Sequence, residues 1–318
     1  MLLKTISIRR YFRIKSLQFL YAQKLSKIDS KKVEKNMLQS IEGLHDLYIY
    51  LLYLILKMRD RAIRINNKIK NKTGLIQRMA YNSILKTLSS NKYYLLEYRN
   101  LKNSKKTLLE KNEYILSFFL KEMNTSKIYK KFIQKSNFSF EEDKNFIIKF
   151  YRNFIISNNK KLIEYTDDLI YLNGSSDLYI AHMMVCKTLK FIQLTTPKNF
   201  KLYNIYKNKE NKKFIVDLYR NTILYKEEFN SLIRDTSNNW DIKRISTIDL
   251  IILQMAICEF LYFPTIPPKA TMNEYIEITK IFCMEKSKIF INGILDQVFK
   301  CLYKNKKIFK EKNKGIIK

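Results

Sequence analysis

Residues 240–268 read WDIKRISTIDLIILQMAICEFLYFPTIPP, and this stretch decides the fold class. Ile245, Ile248, Ile252 and Met255 recur at spacings of three and four, the period of one helix face. The spacing predicts a helix from about Ile242 to Tyr262, led by Trp240. Pro264, Pro267 and Pro268 stop it, because proline lacks the N–H that a helix interior requires. Downstream, Thr271 and Glu274 have the spacing of a capping box and open a helix that runs to about Cys283. Ser287 then caps a last helix ending near Tyr303, and residues 304–318 form a basic tail.

Towards the N-terminus the same period persists. In residues 8–28, Ile14, Leu17, Tyr21, Leu25 and Ile28 fall on one face, with Arg9 and Arg13 in a strip beside it and Arg10 flanking. Asp29 and Ser30 signal a break. Residues 31–70 read as one long helix or two in sequence. Their apolar run, Leu47 to Leu56, is about half of what a membrane span needs, so it reads as a buried core helix. Loops are expected at Lys72–Gly74, Ser89–Asn91, Asn103–Lys106 and Asn124–Ser126. Gly and Pro together number 9 in 318 residues, against roughly 12% in average usage. Ile, Tyr and Phe also suit strands, so the period rather than the composition makes the class all-α.

An internal repeat stands out. Residues 146–156, FIIKFYRNFII, and 214–224, FIVDLYRNTIL, share six of eleven positions. Either a helical unit has been duplicated, or a biased composition has produced the likeness by chance.

The net charge is +31. It favours a polyanionic partner, nucleic acid or an anionic membrane surface. A Lys-, Asn- and Ile-rich composition also follows from an A/T-rich genome, so charge alone leaves the partner open. Catalytic patterns are weak. Ser83–Lys86 matches SxxK and Lys72–Gly74 matches KTG, but in the reverse order to penicillin-binding enzymes. His45 and His182 are isolated. Glu141 and Glu142 read as a helix start. Cys186, Cys258, Cys283 and Cys301 lack metal-ligand spacing and read as reduced, mostly buried thiols. No cofactor, metal site or catalytic residue is expected. The N-terminus lacks the apolar stretch of a signal peptide, so the expected location is cytoplasmic, with no membrane partner.

Basic residues interleaved with aromatics remain. Arg9, Arg10 and Arg13 alternate with Tyr11 and Phe12: arginine forks grip phosphates, and rings stack on unpaired bases. A solvated helix face fits the same pattern equally well.

The segments NWDIKRISTIDLIILQMAICEF, PPKATMNEYIEITKIF and SKIFINGILDQV together resemble the NusB family, with Trp240, Glu259, Asn273–Glu274 and Phe290–Asp296 as counterparts of its motifs. Gly293 in the Asn-Gly pair reads as a site of close helix packing. RRYFRIKSLQFLYAQKLS is similar to the family's arginine-rich first helix, and 214–233 to its third element. Residues 1–28 and 210–303 would form the NusB-like RNA-binding helical domain. Residues 31–205 would be a helical insertion carrying the partial repeat, as in a long-insert form of the family; LHDLYIYLLYLIL looks like that insertion.

The resemblance implies a non-catalytic transcription antitermination factor. It would bind boxA-type nascent RNA together with NusE, a ribosomal protein, in an RNA polymerase antitermination complex supporting ribosomal RNA transcription. Arg9, Arg10, Arg13, Lys286 and Phe290 would contact RNA. Family members often have an acidic residue where Lys286 stands, so this start of the last helix should attract RNA more. Tyr21 and Asp249 would face NusE, although Tyr21 also reads as a core aromatic. The rival reading is a helical RNA-binding or interaction scaffold without boxA specificity. A NusB-like RNA methyltransferase would need glycine-rich loops and a Pro-Cys pair, and this chain has five glycines and no such pair.

Overall fold

The computed structural model describes residues 7–68, 74–104, 115–119, 138–158, 162, 175–206, 209–236 and 242–308. Trp240, the expected loop Asn124–Ser126, residues 72–73 and 105–106 of two other expected loops and the tail beyond 308 lie outside the described residues; Gly74, Asn103 and Ser104, expected in those loops, are helical. Every regular element among the described residues is helical, so the fold is all-α. In chain order they are α1 (Ile8–Ser26), α2 (Ser30–Lys68), α3 (Gly74–Ala80), α4 (Ser83–Ser89), α5 (Lys92–Ser104), α6 (Phe140–Phe150) continuing as a π-helix (Tyr151–Ile156), and α7 (Ser175–Phe191). Then follow α8 (Lys209–Leu224), α9 (Lys226–Thr236), a 3-10 turn (Ile242–Arg244), α10 (Thr247–Tyr262), α11 (Pro268–Phe282) and α12 (Glu285–Lys304). The chain divides into two compact units, residues 1–38 with 208–318, and residues 39–207.

The first unit is built around α10. Its residues Asp249–Phe260 are all buried, because α1, α8, α9, α11 and α12 surround it. A helix apolar on every side belongs in the centre of a bundle; the single face read from Ile245, Ile248, Ile252 and Met255 is part of that surface. The helix also starts later than its period suggested. Ser246 caps it by accepting from the Asp249 backbone N–H at 3.1 Å, and the residues before it form the 3-10 turn.

α1 starts at a serine cap, with Ser7 Oγ accepting from the Arg10 backbone N–H at 3.1 Å. It ends at Lys27, which adopts the left-handed conformation (φ 54°). Ile14 and Leu17 are buried, but Tyr21 is half-buried and Leu25 and Ile28 are exposed. The predicted apolar face is therefore covered along its first half only.

Both downstream caps differ from their sequence reading. α11 begins at Pro268, and its N-cap residue, Pro267, makes no side-chain cap hydrogen bond. Thr271 and Glu274 instead reach other helices, as described below. Ser287 does not cap α12, which starts at Glu285 after Met284; its hydroxyl donates to Asp249 at 2.9 Å. Gly293 is not a close-packing site either: it is exposed, and a Cβ placed there would meet nothing within 4 Å. Replacing this helical Gly293 with alanine is expected to raise the stability of the first unit by about 0.5–1 kcal/mol, by removing glycine's extra backbone freedom. Urea unfolding followed at far-ultraviolet wavelengths would read the gain.

The second unit centres on α2, where the run Leu47–Leu56 is buried throughout. No helix among the described residues is long and apolar enough to cross a membrane. α4 and α6 are locked together through polar groups. Asn82 Oδ1 accepts from the Ile84 and Leu85 backbone N–H groups at 3.1 and 3.2 Å, and its amide donates to the Asp143 carbonyl at 3.0 Å. Asp143 Oδ2 accepts from the Ser83 N–H at 2.8 Å and its hydroxyl at 2.6 Å. Ser83 thus belongs to a helix start. Glu141 and Glu142 do too: Ser139 and Glu142 form a reciprocal capping box on α6.

The two repeat copies bury matching positions. Phe146, Ile147, Phe150 and Tyr151 are buried in one, and Phe214, Ile215, Leu218 and Tyr219 in the other. They differ in backbone form, since the first copy passes into the π-helix and the second is α-helical throughout. Tyr151 shares a buried 2.7 Å hydrogen bond with His182 Nδ1 on α7. Burial pushes the His182 pKa down to about 3, so this imidazole is neutral. Of the four thiols, Cys186 and Cys258 are buried and Cys283 and Cys301 half-buried.

Candidate nucleic-acid interface

The start of α1 carries three arginines and no acid in its first turn. Positive side chains at the positive end of a helix dipole are unfavourable unless anions approach from elsewhere. Two carboxylates do. Arg13 sends Nε and Nη2 to Glu259 of α10 at 2.8 and 2.6 Å, a fork-on-fork pair. Arg10 sends Nε and Nη2 to Glu274 of α11 at 2.8 and 3.0 Å.

Glu259 is fully buried and is held further by Thr271 Oγ1 at 2.8 Å and Tyr275 Oη at 3.3 Å. Burial alone would lower the pKa of Arg13. The Glu259 charge and hydrogen bonds, with Tyr275 and Glu274, raise it well above the ordinary value instead.

Arg13 is therefore a correction to the sequence reading. At 3% exposure, with its guanidinium spent on Glu259, it faces the interior rather than an RNA strand. Arg10 is part-buried against Glu274. Arg9 is the available cation of the three: it forms no ion pair among the described residues, and its guanidinium lies 5.0 Å from the centroid of the Phe214 ring. Arg13 approaches the same ring at 5.3 Å. A cleft of about 700 Å³ opens here, lined among others by Arg9, Lys213 and Phe214 and by the acids Glu210, Asp217 and Glu274.

Lys286 and Phe290 lie in the first turns of α12, which packs on α9, α10 and α11. Lys286 is exposed and takes no part in the arginine–carboxylate network; Phe290 is half-buried. Two exposed apolar neighbours escaped the sequence reading, Met284 at 84% and Ile289 at 75% exposure. Only a helical register that put both outside the core could have revealed them.

Asp249, expected at a partner surface, is 7% exposed and faces inward. It accepts from Ser287 and stands beside the Cys283 thiol, whose pKa burial and this carboxylate together push up to about 12. Tyr21 is half-buried on α1. The structure thus gathers Arg9, Arg10 and Arg13 around Phe214, Glu259 and Glu274, and ties Asp249 to the start of α12. Among the described residues no group of three or more His, Cys, Asp or Glu could hold a metal ion.

Charge does not favour one unit. Residues 39–207 hold 30 basic and 14 acidic residues of the chain's 60 and 29, so each unit carries about half the excess.

An all-helical bundle, closed around a buried Arg–Glu pair and fronted by an arginine-rich helix start, defines the class. Its family follows from comparison: the NusB family model matches residues 181–300. The chain carries a NusB family domain in its C-terminal half, with a long N-terminal extension before the matched residues. Transcription antitermination protein NusB of Geobacter sulfurreducens is 44% identical over 85 residues, which is 27% of this chain and 62% of that protein. The protein of the same name from Syntrophus aciditrophicus is 44% identical over 80 residues, 25% of this chain and 50% of its own length. This chain therefore spans about half to three-fifths of the curated relatives it matches. Among solved structures, T. maritima NusB (P3121, Form 2) is 31% identical, covering 31% of this chain and 69% of that one, with a TM-score of 0.29.

Proposed function

We propose that this chain is a non-catalytic transcription antitermination factor that binds boxA-type nascent RNA together with NusE and supports ribosomal RNA transcription in an RNA polymerase antitermination complex. The observation that carries the reading is the arginine cluster at the capped start of α1. Arg13 and Arg10 are fixed by Glu259 and Glu274, which holds the helix start in place while Arg9 stays available at the mouth of the cleft. Arg9 and Lys286 supply phosphate contacts; Arg10, its charge offset by Glu274 and Glu277, lies beside Arg9, and Phe290 lies one turn after Lys286 on α12. Arg13 supports this surface from behind.

The working domain is discontinuous in this reading. α1 joins residues 210–303, since it packs on α8, α10 and α11, and residues 31–205 are the insertion. The protein-partner face uses Tyr21, half-buried on α1; Asp249 steadies the start of α12 through Ser287.

The test is a pull-down with the cognate NusE, with and without boxA RNA, alongside RNA titrations at several salt concentrations. Specific RNA should bind more tightly than a scrambled strand at ~0.15 M salt. Arg9→Ala and Lys286→Ala should each lower the slope of log K against log salt by about 0.7–1 unit. Equal binding of both strands would overturn the boxA assignment and leave a general helical RNA-binding scaffold.

A further inference from the structure

A groove in the second unit has no part in the reading above. It lies between the last turn of α7 and the extended segment 200–204 and has a volume of about 440 Å³. Lys187, Phe191, Phe200, Lys201, Leu202 and Tyr203 line it. Phe191 stands 60% exposed, its ring 5.9 Å from that of Phe200. On the other wall, Lys187 Nζ sits 4.9 Å from the centroid of the Tyr203 ring and donates to Tyr203 Oη at 3.2 Å.

Both walls are fixed from behind. Tyr48 Oη and Thr188 Oγ1 share a buried 2.6 Å hydrogen bond, and the same phenol meets the backbone of Tyr203. Asn91, fully buried, donates to the carbonyls of Lys198 at 3.2 Å and Phe200 at 2.9 Å. The Lys92 backbone N–H also donates to the Lys198 carbonyl at 2.9 Å. Two turns close the path between the walls, with the Thr196 N–H bonded to Gln193 O and the Phe200 N–H to Pro197 O.

The charged residues that line the groove, Lys187 and Lys201, have one sign. Lys187, Lys190, Lys198 and Lys201 are all exposed, and the sequence holds no Asp or Glu between Asp177 and Glu210. A pre-built groove that combines lysines with one exposed ring, Phe191, suits an unpaired nucleic-acid strand, whose phosphates and bases meet both features. An acidic peptide would use the lysines but not the ring.

We propose that this groove is a second RNA contact, binding a short single-stranded segment without base specificity. One base stacks on Phe191, and the phosphates on either side follow Lys187, Lys190, Lys198 and Lys201. The site is independent of the boxA assignment, since it uses none of the residues of the first unit.

The test uses the full chain carrying Arg9→Ala and Lys286→Ala, which weakens the proposed first surface, and a fluorescein-labelled 12-nucleotide oligo(U) followed by anisotropy. Residual binding is expected. Phe191→Ala should weaken it about tenfold, the size of one lost base stack. Lys187→Gln and Lys201→Gln should each lower the salt slope by about 0.7. The side chains of Phe191 and Lys201 are exposed, so circular dichroism of those variants should match the parent. Complete loss of oligo(U) binding in the parent double variant would overturn the proposal, as would affinities unchanged by Phe191→Ala and Lys201→Gln. Displacement of RNA by poly-glutamate that is insensitive to Phe191→Ala would assign the groove to acidic protein and overturn it as well.

Discussion

Glu259→Ala is expected to destabilise the first unit by about 3–5 kcal/mol, the cost of leaving a buried charge without its partner. The cause is Arg13. Its guanidinium is buried, and Glu259 supplies both of its short hydrogen bonds. Removing the carboxylate strands a buried cation, and arginine does not lose its proton in proteins, so the charge remains, with only Glu274 still near it at 3.6 Å. The hydroxyls of Thr271 and Tyr275 lose their acceptor at the same time. Arg13→Ala leaves the complementary defect, an unpaired buried carboxylate, and should fall in the same range. The double variant should cost less than the sum of the two, since neither charge is then left alone. Chemical denaturation of the four proteins, read as a double-mutant cycle, checks this. Additive losses would show that the pair is not coupled.

The second large effect is acid sensitivity of the other unit. His182 is neutral in the fold, with its pKa pushed down to about 3 by burial, whereas an unfolded histidine titrates near 6.5. Below pH 6.5 the unfolded chain takes up a proton that the folded chain refuses. The contribution is therefore complete above pH 6.5 and lost as pH falls towards 3. At 1.36 kcal/mol per pH unit, the loss is about 3 kcal/mol at pH 4.5 and about 4–5 kcal/mol by pH 3. Hydrogen exchange at the α7 amides, measured at pH 7 and 4.5 and corrected for intrinsic exchange, reads the opening free energy of this unit alone. His182→Gln should be less stable at pH 7, because the contact with Tyr151 is altered, and should show a flatter pH dependence. An unchanged pH dependence would mean that other groups govern the acid response.

Much of this architecture was legible because helical period is a local property. The run Leu47–Leu56 and the α10 stretch are apolar enough that only burial suits them. What escaped was which tertiary partner a polar side chain would find. Thr271 and Glu274 have the spacing of a local cap, yet their oxygens serve Glu259 and Arg10. The same three-residue spacing can serve either purpose, and only the approach of α1 and α10 decides. Arg13 and Arg10 look alike in the sequence, but Arg13 points between α10 and α11 while Arg10 lies at their edge. Ser287 and Asp249, 38 residues apart, meet because α10 and α12 are neighbours. The exposed Leu25 and Ile28 show the opposite limit: period marks a face, but not how far along a helix that face stays covered.

The pairing of α1 with elements near the other end of the chain also sets an order of events during synthesis. Arg13 and Glu259 are 246 residues apart. At 5–20 residues per second a ribosome needs roughly 10–50 s to cover that distance. Until α8 is made, Tyr11, Phe12, Ile14 and Leu17 lack every helix that will bury them, while residues 39–207 are completed in between. A segment made well before its partners thus waits to reach its final place, and the growing chain carries a basic, apolar helix that must be sheltered until they arrive.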